Sequence, residues 1–284
     1  MTTNTAPEKR ATRIPRRFER NARLFGPEAV ERLSNAHVTV FGLGGVGSWA
    51  AEGLARAGIG RLTLVDFDRV CITNVNRQLP ATQLSVGAFK AEVLAERMRQ
   101  INPEAQVVAF KEFYRAETSE LLLPATGVDF VVDAVDNVKA KLHLLARCLE
   151  LKIPVISSMG AGGRMDPSRI RVSDLYESHT DQFAKDVRKF LRIKHGIPAT
   201  QQLTGILAVW STERPRDPIE AEGEGCGFNC VCPGGENDFH SCEKRRQING
   251  TAAFVTSVFG MMAAGEVVRR NRWGVTRGAS SALV

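Results

Sequence analysis

The sequence has no uninterrupted apolar run that could span a bilayer, and its first residues lack the pattern of a secretory leader. Its first twenty residues carry basic side chains but no apolar segment and no small-residue cleavage site, so we expect no secretory signal. The longest apolar stretch, residues 248–268, is broken by polar side chains, by Glu266 and by three glycines. We therefore expect a packed helix there, no stable membrane insertion and a cytoplasmic protein.

The sequence also lacks an internal repeat and an even distribution of charge. Residues 1–20 hold six Lys/Arg against two Glu, and residues 269–284 hold four Arg and no acidic residue, so the two ends carry a charge of +8, while the chain as a whole has a net charge of +7. Such ends suit a polyanion such as RNA, or they are solvated tails. We predict a disordered basic tail at residues 1–15 and a loose tail at residues 273–284.

Short β-rich runs alternate with helical periodicity through the first half of the chain. This alternation predicts an α/β fold with a mostly parallel sheet that helices cover on both faces. After residue 158 the pattern changes to fewer, more widely spaced elements. The predicted strands are 37–41, 62–65, 106–110, 130–134, 154–158, 169–175 and 205–210, and the predicted helices are 18–33, 49–57, 87–101, 139–150, 181–193 and 248–270.

A glycine motif follows the first predicted strand and opens a helix. Gly42, Gly44, Gly45 and Gly47 form the pattern G-x-G-x-x-G, in which glycines let the backbone approach phosphate at a helix N-terminus. Asp66 lies nineteen residues after Gly47, at the end of the second predicted strand, where a carboxylate can accept ribose hydroxyls. The pattern predicts an adenine-nucleotide site without distinguishing ATP from NAD.

Later segments contain further residues of the types that bind phosphate and metal ions: DFDRVCITNVNRQ at residues 66–78, Lys90 on a helix, and DAVDN at residues 133–137. Together they resemble the E1-like superfamily, whose members use ATP to adenylate a carboxylate. Within it, GVGSWAAEGLARAGIG, VCITNVNRQ and INGTAAFV are most similar to the tRNA threonylcarbamoyladenosine dehydratase branch. The resemblance implies a Rossmann-like ATP-binding domain over residues 16–160. It also implies a substrate-side half over residues 161–272 that extends the sheet and contains a Cys-rich loop and the C-terminal helix.

Adenylation gathers negative charge on the ATP phosphates, so cations must lie beside them. We expect Arg77 and Lys90 to contact the triphosphate, and Asn74 to hold a phosphate oxygen or orient its neighbours. Asp136 is the expected Mg²⁺ ligand because magnesium prefers carboxylate oxygens, and Asp68 is a second candidate for metal or nucleotide.

Arg20 matches the superfamily position that reaches into the partner subunit's ATP site. The match implies a homodimer in which this side chain acts as an arginine finger.

Four cysteines lie in a glycine-rich loop, but they lack the paired C-x-x-C spacing of common zinc sites. Cys226, Cys230, Cys232 and Cys242 follow the pattern C-x₃-C-x-C-x₉-C. In a reducing compartment they are candidates for a structural Zn²⁺ or iron-sulfur site instead of disulfides, and the spacing leaves metal binding open. We assign no catalytic cysteine.

The resemblance implies an ATP-dependent enzyme that dehydrates threonylcarbamoyladenosine at position 37 of tRNA and releases AMP and pyrophosphate. Its substrate would be the tRNA anticodon loop, and a sulfur-transfer protein is a candidate further partner. The alternative is an adenylyltransferase that activates the C-terminal Gly-Gly of a sulfur-carrier or ubiquitin-like protein. An NAD-dependent dehydrogenase or a nucleotide-sensing module explains the glycine motif, but not Arg77, Lys90 and Asp136 together.

Overall fold

The structure is a computed structural model that describes residues 14–198, 203–219 and 249–272. These residues form a seven-stranded sheet with the strand order β3-β2-β1-β4-β5-β7-β6. Neighbouring strands are parallel, except that β6 runs antiparallel to β7 at one edge. The strands are β1 (His37–Phe41), β2 (Arg61–Val65), β3 (Gln106–Phe110), β4 (Phe130–Asp133), β5 (Val155–Ser158), β6 (Ile170–Asp174) and β7 (Leu207–Ser211).

Helices cover both faces of this sheet. On one face, α2, α3, α4 and α8 pack against the strands in one buried cluster, and on the other face α5, α6 and α7 form a second cluster. The predicted parallel sheet with helices on both faces is therefore confirmed. The helices are α1 (Glu19–Phe25), α2 (Pro27–Asn35), α3 (Gly47–Ala57), α4 (Lys90–Ile101), α5 (Ser119–Leu122), α6 (Val138–Glu150), α7 (Gln182–His195) and α8 (Ala253–Arg272).

The central strands are apolar at successive positions because both of their faces are buried. Val131 of β4 belongs to the cluster beneath α6 and α7, while the next residue, Val132, belongs to the cluster beneath α3 and α8. Side chains alternate between the two faces of a strand, so a continuous apolar run is what a doubly covered parallel sheet requires.

The sheet continues without a break from the first half of the chain into the second. β5 pairs in parallel with β7, with Ile156 opposite Leu207, and both buried clusters contain residues from the two halves. No helix in the described part of the chain is long and apolar enough to cross a membrane. The predicted tails at residues 1–15 and 273–284 fall wholly or almost wholly outside the described residues.

The prediction of one helix over residues 18–33 is wrong. Gly26 has φ +88° and separates α1 from α2, and Pro27 occupies the first turn of α2. A positive φ is accessible to glycine at little cost, and proline is well suited to the start of a helix. The two residues therefore divide a segment whose apolar spacing is continuous.

The backbones of α3 and α8 approach closely at glycine. A Cβ atom at Gly260 would lie 2.3 Å from the carbonyl oxygen of Val46 and 2.8 Å from Cβ of Trp49. Gly265, one turn later on the same helix, has nothing within 4 Å of its Cβ position. The two positions share a helix and differ only in the space around them.

We predict opposite effects of alanine at these two glycines. Gly260→Ala should lower the free energy of unfolding by about 1–3 kcal/mol, because overpacking forces α8 away from α3. Gly265→Ala should raise it by about 0.5–1 kcal/mol through helix propensity. Urea denaturation followed by circular dichroism checks both, and equal effects of the two substitutions would contradict the close approach.

Candidate functional site

The glycine loop after β1 lies at the carboxyl edge of the sheet, where parallel sheets bind ligands. Gly42 has φ +81°, and its Cβ position lies 2.6 Å from the carbonyl oxygen of Ala134 in the loop after β4. A Cβ at Gly47 would lie 1.8 Å from the carbonyl oxygen of Gly42. Both positions therefore require glycine, and α3 begins within this loop, so that the loop offers the helix N-terminus that anions favour.

The rest of the glycine loop packs against the segment that follows β2. The Cβ position of Gly45 lies 3.3 Å from Cγ of Arg77, and that of Gly44 lies 3.7 Å from Nε2 of Gln78. Gln78 is buried, and its Oε1 atom has no hydrogen-bond partner within the described residues. A buried acceptor beside a glycine cradle fits a bound ligand that donates a hydrogen bond.

Asp66 connects the loop after β1 with the loop after β2. Its Oδ2 atom accepts the backbone N–H of Leu43 at 2.6 Å, and its Oδ1 atom accepts that of Asp68 at 2.8 Å. Burial raises the pKa of Asp66 above its ordinary value, and attraction from Lys90 and the two backbone donors offsets this only in part. Each carboxylate oxygen has a second lone pair, so Asp66 can also accept a ribose hydroxyl.

Lys90 is a buried cation at the first residue of α4. Its Nζ atom lies 2.8 Å from Oδ2 of Asp68. Burial opposes its charge, but the carboxylates of Asp66 and Asp68, with a smaller contribution from Asp136, raise the pKa of Lys90 above its ordinary value. The side chain therefore stays protonated at neutral pH, and four of the predicted site residues lie within one electrostatic cluster.

A long connection from β2 to α4 places Lys90 and is itself held by Arg69. The guanidinium of Arg69 lies 3.8 Å from the centre of the Phe89 ring and donates to the carbonyl oxygen of Gly87 at 2.8 Å. Such stacking is a favourable contact between a cation and an aromatic face. It stabilises the connection immediately before the buried lysine.

Asn74 and Arg77 lie in this connection, but their contacts differ. Asn74 is buried, and its Oδ1 atom accepts the backbone N–H of Cys71 at 3.1 Å. Arg77 donates to the carbonyl oxygen of Thr73 at 3.0 Å and to Oδ1 of Asn76 at 2.8 Å. The contacts of Asn74 organise the turn, and the half-buried guanidinium of Arg77 lies beside the glycine loop.

Asp136 lies exposed in the loop between β4 and α6. Close to it in the chain lies a buried group that the sequence analysis did not predict. Lys141, Asp133 and Ser157 are all fully buried, and Nζ of Lys141 lies 2.6 Å from Oδ2 of Asp133. The only sequence signal is that a lysine and an aspartate lie eight residues apart on either side of a helix start.

A second buried ion pair, also absent from the sequence predictions, lies between the loop after β5 and the start of α7. Arg164 lies 2.6 Å from Oδ2 of Asp181, the N-cap residue of α7, and donates to the carbonyl oxygens of Gly160 and Glu213. This arginine holds the glycine-rich loop after β5 against the start of α7.

Arg20 is not part of this cluster within one chain. It lies exposed on α1, and neighbouring residues fix α1 at the opposite edge of the sheet. Arg17 donates to the carbonyl oxygen of Ile101 at 3.0 Å, and Asn21 donates to that of Arg56 at 2.8 Å. Both acceptors belong to helix ends that lead into the starts of strands, so α1 lies at the amino edge.

The proposed metal-binding cysteines Cys226, Cys230, Cys232 and Cys242 lie outside the described residues. Within the described ranges, no group of three or more His, Cys, Asp or Glu side chains could hold a metal ion. Cys71 and Cys148 are buried, and burial raises the pKa of the Cys148 thiol. A buried, protonated thiol is a poor nucleophile.

Comparison with known proteins places these residues in a wider context. The ThiF family profile matches residues 18–271. A tRNA threonylcarbamoyladenosine dehydratase of Bacillus subtilis (strain 168) is 43% identical over 254 residues, which cover 88% of this chain and 92% of that protein. The one from Escherichia coli (strain K12) is 39% identical over 255 residues, covering 89% and 92%. A crystal structure of the E. coli tRNA N6-threonylcarbamoyladenosine dehydratase in complex with ATP has a TM-score of 0.77 at 36% identity, covering 93% of this chain and 96% of that one.

We predict that Lys90→Met separates phosphate binding from nucleoside binding. The affinity for ATP should fall about tenfold or more, because a charge-assisted contact is lost, while the affinity for adenosine should stay within about twofold. Isothermal titration calorimetry measures both. Lys111→Met is the matched control, since Lys111 pairs with Glu92 on the surface. Equal losses for ATP and adenosine would contradict a phosphate contact by Lys90.

Proposed function

This chain belongs to the ThiF family, and we propose that it is an ATP-dependent tRNA threonylcarbamoyladenosine dehydratase. It adenylates the free carboxylate of threonylcarbamoyladenosine at position 37 of tRNA and closes the modified side chain into a ring. The observation that carries the proposal is similarity to dehydratases over nearly the whole of both chains. The similarity therefore includes the substrate-side half as well as the nucleotide site.

Residues at the carboxyl edge of the sheet can contact both the phosphates and the ribose of ATP. The glycine cradle and the start of α3 offer backbone N–H groups to the phosphates. Asp66 retains acceptor capacity for the ribose. Lys90, buried beside Asp68, and Arg77, beside Gly45, are the cations that would contact the phosphates. This arrangement can meet the charge that develops when pyrophosphate leaves.

Magnesium is the metal that this reaction class implies, and the donors at the site fit it. Asp68 lies 2.8 Å from Lys90, and the carboxylate of Asp136 also acts electrostatically on Lys90, so both can offer oxygens at this edge. Mg²⁺ is usually bound through one or two carboxylates, with phosphate and water oxygens completing its shell. Asp136, with Asp68 as the second donor, would hold the ion, which would neutralise phosphate charge during the transfer.

The reaction has two steps whose atoms balance. A carboxylate oxygen of the substrate bonds to the α-phosphorus of ATP, and the bond from that phosphorus to the bridging oxygen breaks, so pyrophosphate leaves. A nucleophile of the same side chain then attacks the activated carbonyl carbon, loses its proton and expels AMP. The oxygen lost by the nucleoside leaves in AMP. Because both reacting groups belong to one side chain, proximity favours the second step and no enzyme thiol is required.

Helix α7 is the candidate surface for the RNA backbone within the described residues. One face of α7, with Ala184, Val187 and Leu191, is fully buried. The opposite, exposed face carries three cations: Lys185, Lys189 and Arg192. The helix is roughly 21 Å long at 1.5 Å per residue, which spans several phosphates, and its N-cap Asp181 adjoins the loop after β5 through Arg164. It therefore leads away from the catalytic edge.

The position of Arg20 favours a homodimer. The proposed ATP site of the same chain lies at the carboxyl edge of the sheet and Arg20 at the amino edge, so the guanidinium of Arg20 can complete an ATP site only in a second subunit. An arginine finger supplied in this way stabilises transition-state charge and contributes little to ground-state binding.

The alternative, activation of a sulfur-carrier or ubiquitin-like protein at its C-terminal Gly-Gly, would use the same ATP residues. It requires a protein acceptor instead of RNA, and a sulfur-transfer protein would then be a partner. The basic face of α7 favours the RNA substrate.

The proposed function is tested by incubating the purified protein with ATP, Mg²⁺ and threonylcarbamoyl-modified tRNA. We expect the modified nucleoside to lose one water in step with AMP formation, and an ¹⁸O label in its carboxylate to appear in AMP. Unchanged RNA, with pyrophosphate exchange only on addition of a Gly-Gly-ended protein, would support the alternative.

We predict that Arg20→Ala lowers the rate of AMP formation while ATP affinity stays within about twofold, because a finger acts on the transition state. Mixing Arg20→Ala with Lys90→Met subunits should restore about a quarter of the wild-type rate, since random exchange in a dimer gives that share of sites with both residues. No recovery after verified subunit exchange would contradict action across the dimer.

We also predict that Lys185→Ala/Lys189→Ala weakens tRNA binding. The slope of log affinity against log salt should decrease by about two, one for each lost phosphate contact, while ATP affinity is unchanged. Arg99→Ala/Lys111→Ala removes the same charge at the β3 side of the sheet and is the control. Equal changes of slope in both variants would indicate a general charge effect.

A further inference from the structure

A buried lysine with a complete set of partners lies beneath the loop that carries Asp136. Nζ of Lys141 is 2.6 Å from Oδ2 of Asp133, 3.0 Å from Oγ of Ser157 and 3.2 Å from the carbonyl oxygen of Ser158. Ser157 also donates to Oδ2 of Asp133 at 2.6 Å. The three N–H donors of the ammonium are thus all used. The cluster joins the carboxyl ends of β4 and β5 to α6.

Stability alone is a weak reason for this arrangement. Burying two charges carries a desolvation cost of several kcal/mol per ion, and well-packed apolar replacements are often as stable as a buried ion pair. The ion pair also fixes the conformation of the loop between β4 and α6.

The cluster holds both ends of the loop between β4 and α6. At the entry, Oδ1 of Asp133 accepts the backbone N–H of Val135 at 3.0 Å. At the exit, Oδ1 of Asn137 caps α6 by accepting the N–H of Ala140 at 3.0 Å, and the N–H of Lys141 donates to the carbonyl oxygen of Asn137 at 2.9 Å. Lys141 therefore contacts the end of the loop through its backbone N–H and the start of the loop through its side chain.

This loop contacts the nucleotide site directly. The carbonyl oxygen of Ala134 lies 2.6 Å from the position where Gly42 would place a Cβ atom, so this loop packs directly against the glycine loop. Asp136 lies between the two fixed ends, and its charge acts on Lys90. Small movements of a metal ligand or a phosphate cradle are costly for catalysis.

We propose that Lys141 is a positioning residue for magnesium-bound ATP, which holds the loop of residues 134–137 so that Asp136 faces the nucleotide. Lys141 is buried and makes no contact with the reacting atoms itself. It acts through Asp133, whose Oδ1 atom accepts the backbone N–H of Val135, the residue before Asp136. The inference rests on the proposed function, since it assigns Asp136 to the magnesium of that reaction.

The experiment measures ATP affinity by calorimetry with and without Mg²⁺, in wild type and in Lys141→Met, which keeps the length of the side chain and removes its charge. We expect the enhancement of ATP affinity by Mg²⁺ to fall about tenfold in Lys141→Met, while ATP affinity without Mg²⁺ stays within about twofold. The Mg²⁺ concentration giving half-maximal AMP formation should rise in parallel.

Glu52→Gln is the matched control. Glu52 is a buried carboxylate on α3 that lies 2.7 Å from Arg97 of α4 and 2.7 Å from Arg56. Its substitution should lower the melting temperature as a lost buried charge does, and leave the Mg²⁺ enhancement at the wild-type value. An equal loss of enhancement in Glu52→Gln would overturn the proposal, because the effect would then follow stability.

Ser157→Ala keeps the proposal testable if Lys141→Met does not fold. It removes the hydroxyl that bridges Lys141 and Asp133 while keeping both charges, and we expect about a threefold loss of the Mg²⁺ enhancement. If Lys141→Met folds and Mg²⁺ enhances its ATP affinity as much as in wild type, the proposal is overturned. If only Ser157→Ala folds, the same result in that variant overturns it. Binding of ATP with Mg²⁺ needs no RNA, so a wild-type protein that binds both but leaves the tRNA unchanged would contradict the dehydratase assignment alone.

Discussion

The buried carboxylate of Asp66 links the two loops on which the nucleotide site depends. One oxygen accepts the N–H of Leu43 in the glycine loop, and the other accepts that of Asp68, the residue paired with Lys90. Burial alone would favour the neutral acid, and the cation and the backbone donors favour its charged form. The glycine cradle, the carboxylates and the cation therefore depend on one another, and none of them has its geometry without the parallel strands that bring the loops together.

Two further buried ion pairs extend this principle along the carboxyl edge. Lys141 and Asp133 hold the loop after β4, and Arg164 and Asp181 hold the loop after β5 against α7. Loops at a sheet edge have few backbone partners of their own, so charged side chains with several hydrogen bonds supply a unique conformation. Each pair connects a strand end, or the loop that follows it, with the start of a helix, and these loops at the carboxyl edge are thereby fixed to the sheet.

Much of the fold follows from local patterns, and the departures have identifiable causes. The apolar runs of β1, β2 and β4 and the glycine motif predicted the parallel sheet and the position of the first phosphate loop, because a doubly covered strand must be apolar on both faces. The segment before β1 was predicted as one helix, because the apolar spacing continues across Gly26 while the positive φ does not show in periodicity. In the sequence, Lys141 is one of two lysines on α6, and nothing in their spacing separates it from Lys139. Its burial depends on the strand ends above it, which sequence spacing does not reveal.

The sequence by itself determined the class of fold, the glycine cradle and the residue types that suit ATP chemistry, because strand periodicity, glycine spacing and the positions of charged residues after strands are local properties. Tertiary structure decided which charges are buried and paired: Lys90 with Asp68, Lys141 with Asp133, and Arg164 with Asp181. It also decided that Arg20 lies at the opposite edge from its own chain's site. These outcomes depend on how strands, loops and helices pack against one another, which local spacing does not specify.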